Sequence, residues 1–125
     1  MKKLSNIELK HLSFPESEVL SMDLNLEDKI MKLDIDSCYV DLSEGKRYFE
    51  CSLELRNWRS LKVELYEASS QKDLILNPVS ADKLADICEF EFGEEYIFRG
   101  FGKLTGQWIE YSFSGGELVV NIDLP

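Results

Sequence analysis

In the segment MKLDID (Met31–Asp36), apolar and polar residues alternate along the whole length. Successive side chains of a strand point to opposite faces of a sheet, so the alternation predicts a strand with one buried and one solvated face. The segments Glu50–Leu55 and Glu89–Phe92 repeat the pattern with carboxylates on the polar positions. The chain therefore predicts strands that are apolar inside and acidic outside.

The same alternation of apolar and polar residues recurs on both sides of this segment, along most of the chain. The residues expected to point inward are Leu20, Met22, Leu24 and Leu26; Met31, Leu33 and Ile35; Cys38, Val40 and Leu42; Phe49, Cys51, Leu53 and Leu55; and Leu61, Val63 and Leu65. The phase shifts by one residue near Ser37, which predicts a bulge or a break between strands. Turns are predicted at Glu27-Asp28 and Glu44-Gly45, with a corner at Asn57–Ser60.

Two stretches depart from the strand pattern. Ala68–Asp82 contains two adjacent serines and Asn77-Pro78, which predicts a long loop or a poorly ordered insertion. Ser80 is suited to cap a short helix that ends at Cys88, with its apolar residues on one face. The N-terminal segment Lys2–Glu16 is predicted to be irregular.

The last third predicts an antiparallel meander, with a turn at Gly93–Glu95 and a tight connection bracketed by the glycines of Gly100–Gly106. Gly115-Gly116 is suited to a two-residue hairpin between the closing strands. We therefore predict one mainly β domain over residues 1–125: an antiparallel β-sandwich, or a curled barrel-like sheet, of about eight strands with one short helix.

The charge balance limits the classes of partner that the protein is expected to bind. Lys and Arg number 14 against 24 Asp and Glu, a net charge of −10, and no basic stripe is present, so nucleic-acid binding is not expected. No apolar run approaches the ~20 residues of a membrane helix. The three cysteines are odd in number and embedded in apolar residues, which predicts buried thiols in a reduced, cytoplasmic protein.

The sequence offers no set of catalytic residues. His11 is the only histidine, so neither a His-based triad nor a histidine metal site can form. Asp34 and Asp36 lie in a strand and not in a calcium-binding turn. Gly100–Gly106 lacks the GK[ST] sequence of a phosphate loop. We predict no enzyme activity, no metal and no cofactor.

Two kinds of residue are candidates for partner binding. The first is the densest set of carboxylates, which consists of Asp34, Asp36, Glu50, Glu54, Glu89, Glu91, Glu94 and Glu95. The second is tryptophan, which is enriched in interface hot spots but is also usually buried. Trp58, in a polar corner, is the better anchor candidate, although both Trp58 and Trp108 also suit the core.

Two segments carry a family resemblance. Phe14-Pro15-Glu16-Ser17-Glu18-Val19 resembles the opening of several families of small bacterial proteins, and Leu53-Glu54-Leu55-Arg56-Asn57-Trp58-Arg59-Ser60-Leu61 resembles their central strand, corner and strand. Some of these families are immunity proteins of bacterial contact-dependent and polymorphic toxin systems. The resemblance implies a protein that neutralises one cognate toxin by binding it.

Three hypotheses follow. The leading one is an immunity protein whose carboxylates occlude the basic cleft of a cognate toxin, for example a nuclease. The second is a β-barrel that binds a small apolar ligand among its aromatic side chains, against the alternative that these rings only fill the core. Those residues are Phe90, Phe92, Tyr96, Phe98, Phe101, Trp108, Tyr111 and Phe113. The third is an acidic mimic of nucleic acid.

Overall fold

The computed structural model describes residues 2–3, 12–14, 17–39 and 47–122, with the backbone alone at 2–3. These residues form eleven strands. The strands are β1 (Lys2–Lys3), β2 (Ser17–Asn25), β3 (Ile30–Tyr39), β4 (Arg47–Arg56), β5 (Ser60–Glu67), β6 (Lys72–Leu76), β7 (Asp86–Ile87), β8 (Glu89–Phe92), β9 (Glu95–Phe101), β10 (Trp108–Ser114) and β11 (Glu117–Ile122). The prediction of a mainly β protein is confirmed, whereas the predicted number of about eight strands is too low.

The strands form two antiparallel sheets that share one core. The first sheet has the order β1-β11-β4-β3-β2-β7, and the second has the order β6-β5-β10-β9-β8. The inward residues of β3, β4 and β11 meet those of β5, β9 and β10 in a single apolar cluster. In the described part of the chain β6 pairs only with β5, so the sheets do not close into a barrel.

One short segment joins the two sheets along an edge. We call residues 83–88 the seam, because they hydrogen bond to β2 on one side and to β9 and the residues after it on the other. The amide of Val19 donates to the carbonyl of Ala85, and the amide of Ala85 donates to the carbonyl of Phe101. A Cβ at Gly100 would collide with the main chain of Asp86, so glycine is required for this close approach.

The helix predicted from Ser80 to Cys88 is wrong. This segment contains β7 and an isolated bridge between Leu84 and Gly102, and the described residues contain no helix. Leu84 and Ile87, which were predicted to share one helix face, are both buried. However, strands on both sides supply the backbone partners that a helix would have supplied internally, so the segment is extended.

The long loop predicted over Ala68–Asp82 is only partly correct, because β6 interrupts it while residues 68–71 and 77–82 lie outside strands. Residues 68–71 form a turn, and β6 then returns alongside β5 with Glu67 opposite Lys72. Leu74 and Ile75 are exposed, which is typical of an edge strand and leaves a weak alternation signal.

Gly115-Gly116 is not a hairpin turn. The strand before it, β10, pairs with β5 and β9, whereas the strand after it, β11, pairs with β4 and β1. The dipeptide therefore carries the chain from the second sheet to the first. The corner at Asn57–Ser60 is confirmed, since it makes the reverse crossing directly alongside, with the amide of Arg59 donating to the carbonyl of Ser114.

Some of the other predicted turns are confirmed, and the rest lie outside the described residues. Residues 26–29 form a turn that contains Glu27-Asp28, and Gly106 has a positive φ in the turn after β9. The turn at Glu44-Gly45 and most of the segment Lys2–Glu16 lie outside the described residues.

Candidate functional site on the outer face of the first sheet

The predicted carboxylates fall on two different faces of the molecule. Asp34, Asp36, Glu50 and Glu54 lie on β3 and β4 of the first sheet, pointing away from the core. Glu89, Glu91, Glu94 and Glu95 lie on β8, β9 and their turn, in the second sheet. Because the shared core separates the two sheets, the two sets lie on opposite outer faces.

Two of the four predicted carboxylates of the second sheet pair with one arginine. Arg99 on β9 donates from Nε to Glu110 at 2.6 Å, and its Nη1 lies 3.3 Å from Glu91 and 3.7 Å from Glu89. Its side chain is only 20% exposed, so the network is partly shielded from water. Glu89 and Glu91 thus share one cation with Glu110, whereas among the described residues Glu94 and Glu95 form no ion pair.

Trp58, the predicted anchor, lies in the core. It is 2% exposed, and its ring meets Phe113 edge to face at a centroid distance of 5.3 Å. Lys29 lies over the ring with Nζ 4.8 Å from its centroid. These contacts support the core interpretation of Trp58, so the sheet-crossing corner offers no exposed anchor there.

On the first sheet, one of the four predicted carboxylates forms an ion pair among the described residues. Glu54 accepts from Arg56 at 2.9 Å, which lowers the pKa of Glu54. Asp34 accepts from the hydroxyl of Ser21, and Asp36 accepts from the backbone amide of Glu18, each at 2.9 Å. Among the described residues, neither aspartate forms an ion pair.

A bulge in β2 places an apolar side chain among these carboxylates. The register of β2 with β3 shifts between Val19, opposite Ile35, and Ser21, opposite Asp34, so β2 contains one extra residue. That residue, Leu20, is 55% exposed. Its predicted inward orientation is wrong because the bulge reverses the alternation at this point.

A second irregularity lies on the other side of β3. The register of β3 with β4 passes from Ile35 opposite Cys51 to Ser37 opposite Phe49, and Glu50 between them has a φ of 58°. Left-handed backbone is unfavourable for a residue with a Cβ. The inward orientation predicted for Phe49 is wrong, since its side chain is 60% exposed.

The phase shift predicted near Ser37 thus corresponds to a real irregularity, although β3 itself continues unbroken from Ile30 to Tyr39. Both Ser37 and Cys38 are buried, so two successive side chains leave the solvent. The departure from regular strand alternation therefore involves β3 and both of its neighbours, β2 and β4.

We define the acidic patch as the outer-face residues around these two irregularities. It consists of Glu18, Leu20, Asp34, Asp36, Phe49 and Glu50. Arg47 also borders it, with its guanidinium carbon 5.3 Å from the centroid of the Phe49 ring. Sequence reasoning identified three of the carboxylates and missed both apolar residues. The only signals were the adjacent apolar pairs Val19-Leu20 and Tyr48-Phe49, which leave the phase ambiguous.

The predicted aromatic group divides between the core and the surface. Phe98, Tyr111 and Phe113 are fully buried, while Phe90, Phe92 and Tyr96 pack against the core. Trp108 and Phe101 lie on the outer face of the second sheet, with centroids 5.2 Å apart. A groove of about 630 Å³ runs between β2 and residues 78–83 and opens to solvent; of these rings, Tyr111 lines it.

Within the described ranges, no three potential metal-ligating side chains cluster, and no helix is long and apolar enough to cross a bilayer. No protein-family model, curated protein or solved structure matches the chain. The arrangement on the first sheet consists of exposed apolar side chains within a rim of carboxylates.

Proposed function

We propose that this protein binds a basic protein partner through the acidic patch, and that the partner is a cognate toxin which it neutralises by occlusion. One observation carries the proposal. Two independent backbone irregularities, on either side of β3, each turn an apolar side chain out of the core and into the same group of carboxylates.

The composition of the patch supports a protein partner. Protein interfaces combine an apolar centre with a polar rim, and Leu20 and Phe49 supply apolar surface between Asp34, Asp36 and Glu50. Bulges and left-handed non-glycine residues concentrate at functional sites, because their local cost persists only where the surrounding structure maintains them. A solvated acidic face needs neither feature.

The same chemistry favours a basic partner. The patch holds the four carboxylates of Glu18, Asp34, Asp36 and Glu50, and Arg47, which stacks on Phe49, lies at its border. Clustered charge of one sign steers an oppositely charged protein and raises the association rate. Phosphate mimicry would require carboxylates alone, whereas the two apolar residues suit a partner with apolar contacts of its own.

The test is co-expression with the toxic domain of the protein encoded by the adjacent upstream gene. We expect the wild-type protein to protect the cells and the Leu20→Ser/Phe49→Ser variant to lose protection while it remains folded. The matched control is Tyr66→Ser/Phe101→Ser, which removes two exposed aromatic side chains from the outer face of the second sheet. This control is expected to protect like the wild type.

Two results would contradict the proposal in different ways. If the wild-type protein fails to protect against that domain, the function as its immunity protein is rejected. If the wild type protects and the patch variant protects equally well, the function stands but the acidic patch is not the binding surface.

A further inference from the structure

Two of the three cysteines lie within reach of one another inside the first sheet. Cys38 on β3 is 0% exposed and Cys51 on β4 is 2% exposed, and their Sγ atoms are 2.8 Å apart. This separation is less than ~1 Å longer than a disulfide bond. The third cysteine, Cys88, lies in the seam and is partly exposed.

The contact depends on the irregularity at Glu50. Cys38 lies opposite Tyr48, three residues away from Cys51 along β4. Three residues of regular strand span roughly 10 Å, too far for the two sulfurs to meet. With Glu50 in the left-handed region the chain is shortened, and the Sγ of Cys51 lies 3.5 Å from the carbonyl oxygen of Tyr48.

We propose that Cys38 and Cys51 form a disulfide bond that cross-links β3 to β4 beneath the acidic patch. The oxidant is a small-molecule disulfide such as oxidised glutathione. One protein thiol attacks it to give a mixed disulfide, and the second protein thiol then displaces the remaining glutathione. An S–S bond forms between Cys38 and Cys51, and two electrons and the two thiol protons leave in two molecules of reduced glutathione.

The environment of the pair determines when the reaction can occur. The hydrogen bond with Cys51 and burial raise the pKa of the Cys38 thiol, which disfavours the thiolate that must attack. The folded, reduced protein should therefore resist external oxidants. The bond is expected to form while the chain folds in an oxidising buffer, when β3 and β4 first pair.

The experiment is refolding from denaturant in oxidised and reduced glutathione, followed by alkylation of free thiols, intact mass measurement and peptide mapping. We expect the wild type to lose the mass of two hydrogen atoms and to keep one alkylated cysteine, Cys88. The Cys88→Ala control should form the same disulfide bond and carry no alkylated cysteine. A melting temperature roughly 10 °C higher than that of the reduced protein should accompany the bond.

The cross-link is overturned if the refolded wild type carries three alkylated cysteines, or if mapping finds a disulfide that includes Cys88. Peptide mapping of the wild type decides this without any variant. Cys38→Ala and Cys51→Ala, where they fold, should each leave two alkylated cysteines and abolish the rise in melting temperature.

Discussion

The outer faces of the two sheets carry similar numbers of carboxylates but differ in backbone regularity. On the second sheet, β10 keeps an unbroken register with β5 and with β9 from Trp108 to Ser114, and Arg99 binds three of the surrounding glutamates. On the first sheet, the register of β2 with β3 shifts at Leu20, and Glu50 of β4 has a left-handed φ; among the described residues no cation pairs with the carboxylates of the patch. Acidic composition alone therefore does not distinguish a binding face from a structural one.

The backbone irregularities of the first sheet have an energetic cost. A left-handed non-glycine residue such as Glu50 costs roughly 1–3 kcal/mol, and an exposed Phe49 forgoes burial worth about 2 kcal/mol. The second sheet has no comparable cost along β10. We infer that the first face gives up stability for recognition, and the following predictions test that inference, beginning with the largest effect.

The largest expected effect lies inside the regular sheet. Tyr111 is buried and donates its hydroxyl proton to the carbonyl of Asp82, and burial raises its pKa to about 12. Because folding favours the protonated phenol, its contribution is complete below the ordinary pKa of 10.0 and is lost as the pH rises through 12. The free energy of unfolding should fall by roughly 2–3 kcal/mol over that range.

Urea unfolding of the wild type and of Tyr111→Phe at a series of alkaline pH values measures this contribution. The control is Tyr66→Phe, since Tyr66 is 40% exposed and should keep the wild-type pH dependence. Identical alkaline profiles for the wild type and Tyr111→Phe would show that the buried phenol does not titrate with folding.

The second effect concerns the apolar centre of the acidic patch. Phe49→Ala should raise the dissociation rate of the toxin complex by roughly 30-fold, which corresponds to a loss of about 2 kcal/mol for a central apolar contact. Because the ring is 60% exposed, the urea midpoint should hardly change. Phe101→Ala on the other face should leave dissociation unaffected, and an equal effect of both substitutions would remove the distinction between the faces.

The third effect concerns charge. Asp34→Lys/Glu50→Lys should slow association with the toxin by roughly 10-fold at low salt and flatten its salt dependence, because steering acts mainly on the association rate. Glu94→Lys/Glu95→Lys makes the same change of net charge on the second sheet. Stopped-flow measurements in which both variants slow association equally would assign steering to total charge and not to the patch.

The smallest expected effect concerns strain. Glu50→Gly relieves the left-handed backbone and should stabilise the protein by about 1 kcal/mol, because glycine adopts a positive φ readily. Ser52→Gly, two residues further along the same strand, should instead destabilise it by about 0.5–1 kcal/mol. A destabilising Glu50→Gly would mean that the carboxylate itself holds the local structure.

Alternation predicted the regular parts of the fold well. The inward orientation of Met31, Leu33 and Ile35 is confirmed, as is that of Leu53 and Leu55. These predictions succeeded because a two-residue period depends only on which face of the strand meets the core. Alternation could not predict the face to which Leu20 and Phe49 point. A bulge or a left-handed residue moves a side chain to the other face of the sheet without changing the alternation in the sequence.

Distant pairing explains the other wrong predictions. The helical spacing around Leu84 and the hairpin dipeptide Gly115-Gly116 are both genuine local signals. The structure overrides them because strands far away in the sequence supply the partners: β2 for the seam, and β4 for β11. The division of the carboxylates between two faces has the same origin, because it depends on which strands share a sheet.

The seam also bears on the order in which the molecule assembles. Neighbours along the chain pair directly in β2-β3-β4 and in β8-β9-β10, so each meander closes only short loops. Ser17, by contrast, pairs with Ile87 across a long intervening chain. Closing a long loop carries a larger entropic cost and slows folding. We expect the two meanders to form first and the seam to dock late, so that the last contacts to form join the two halves of the core.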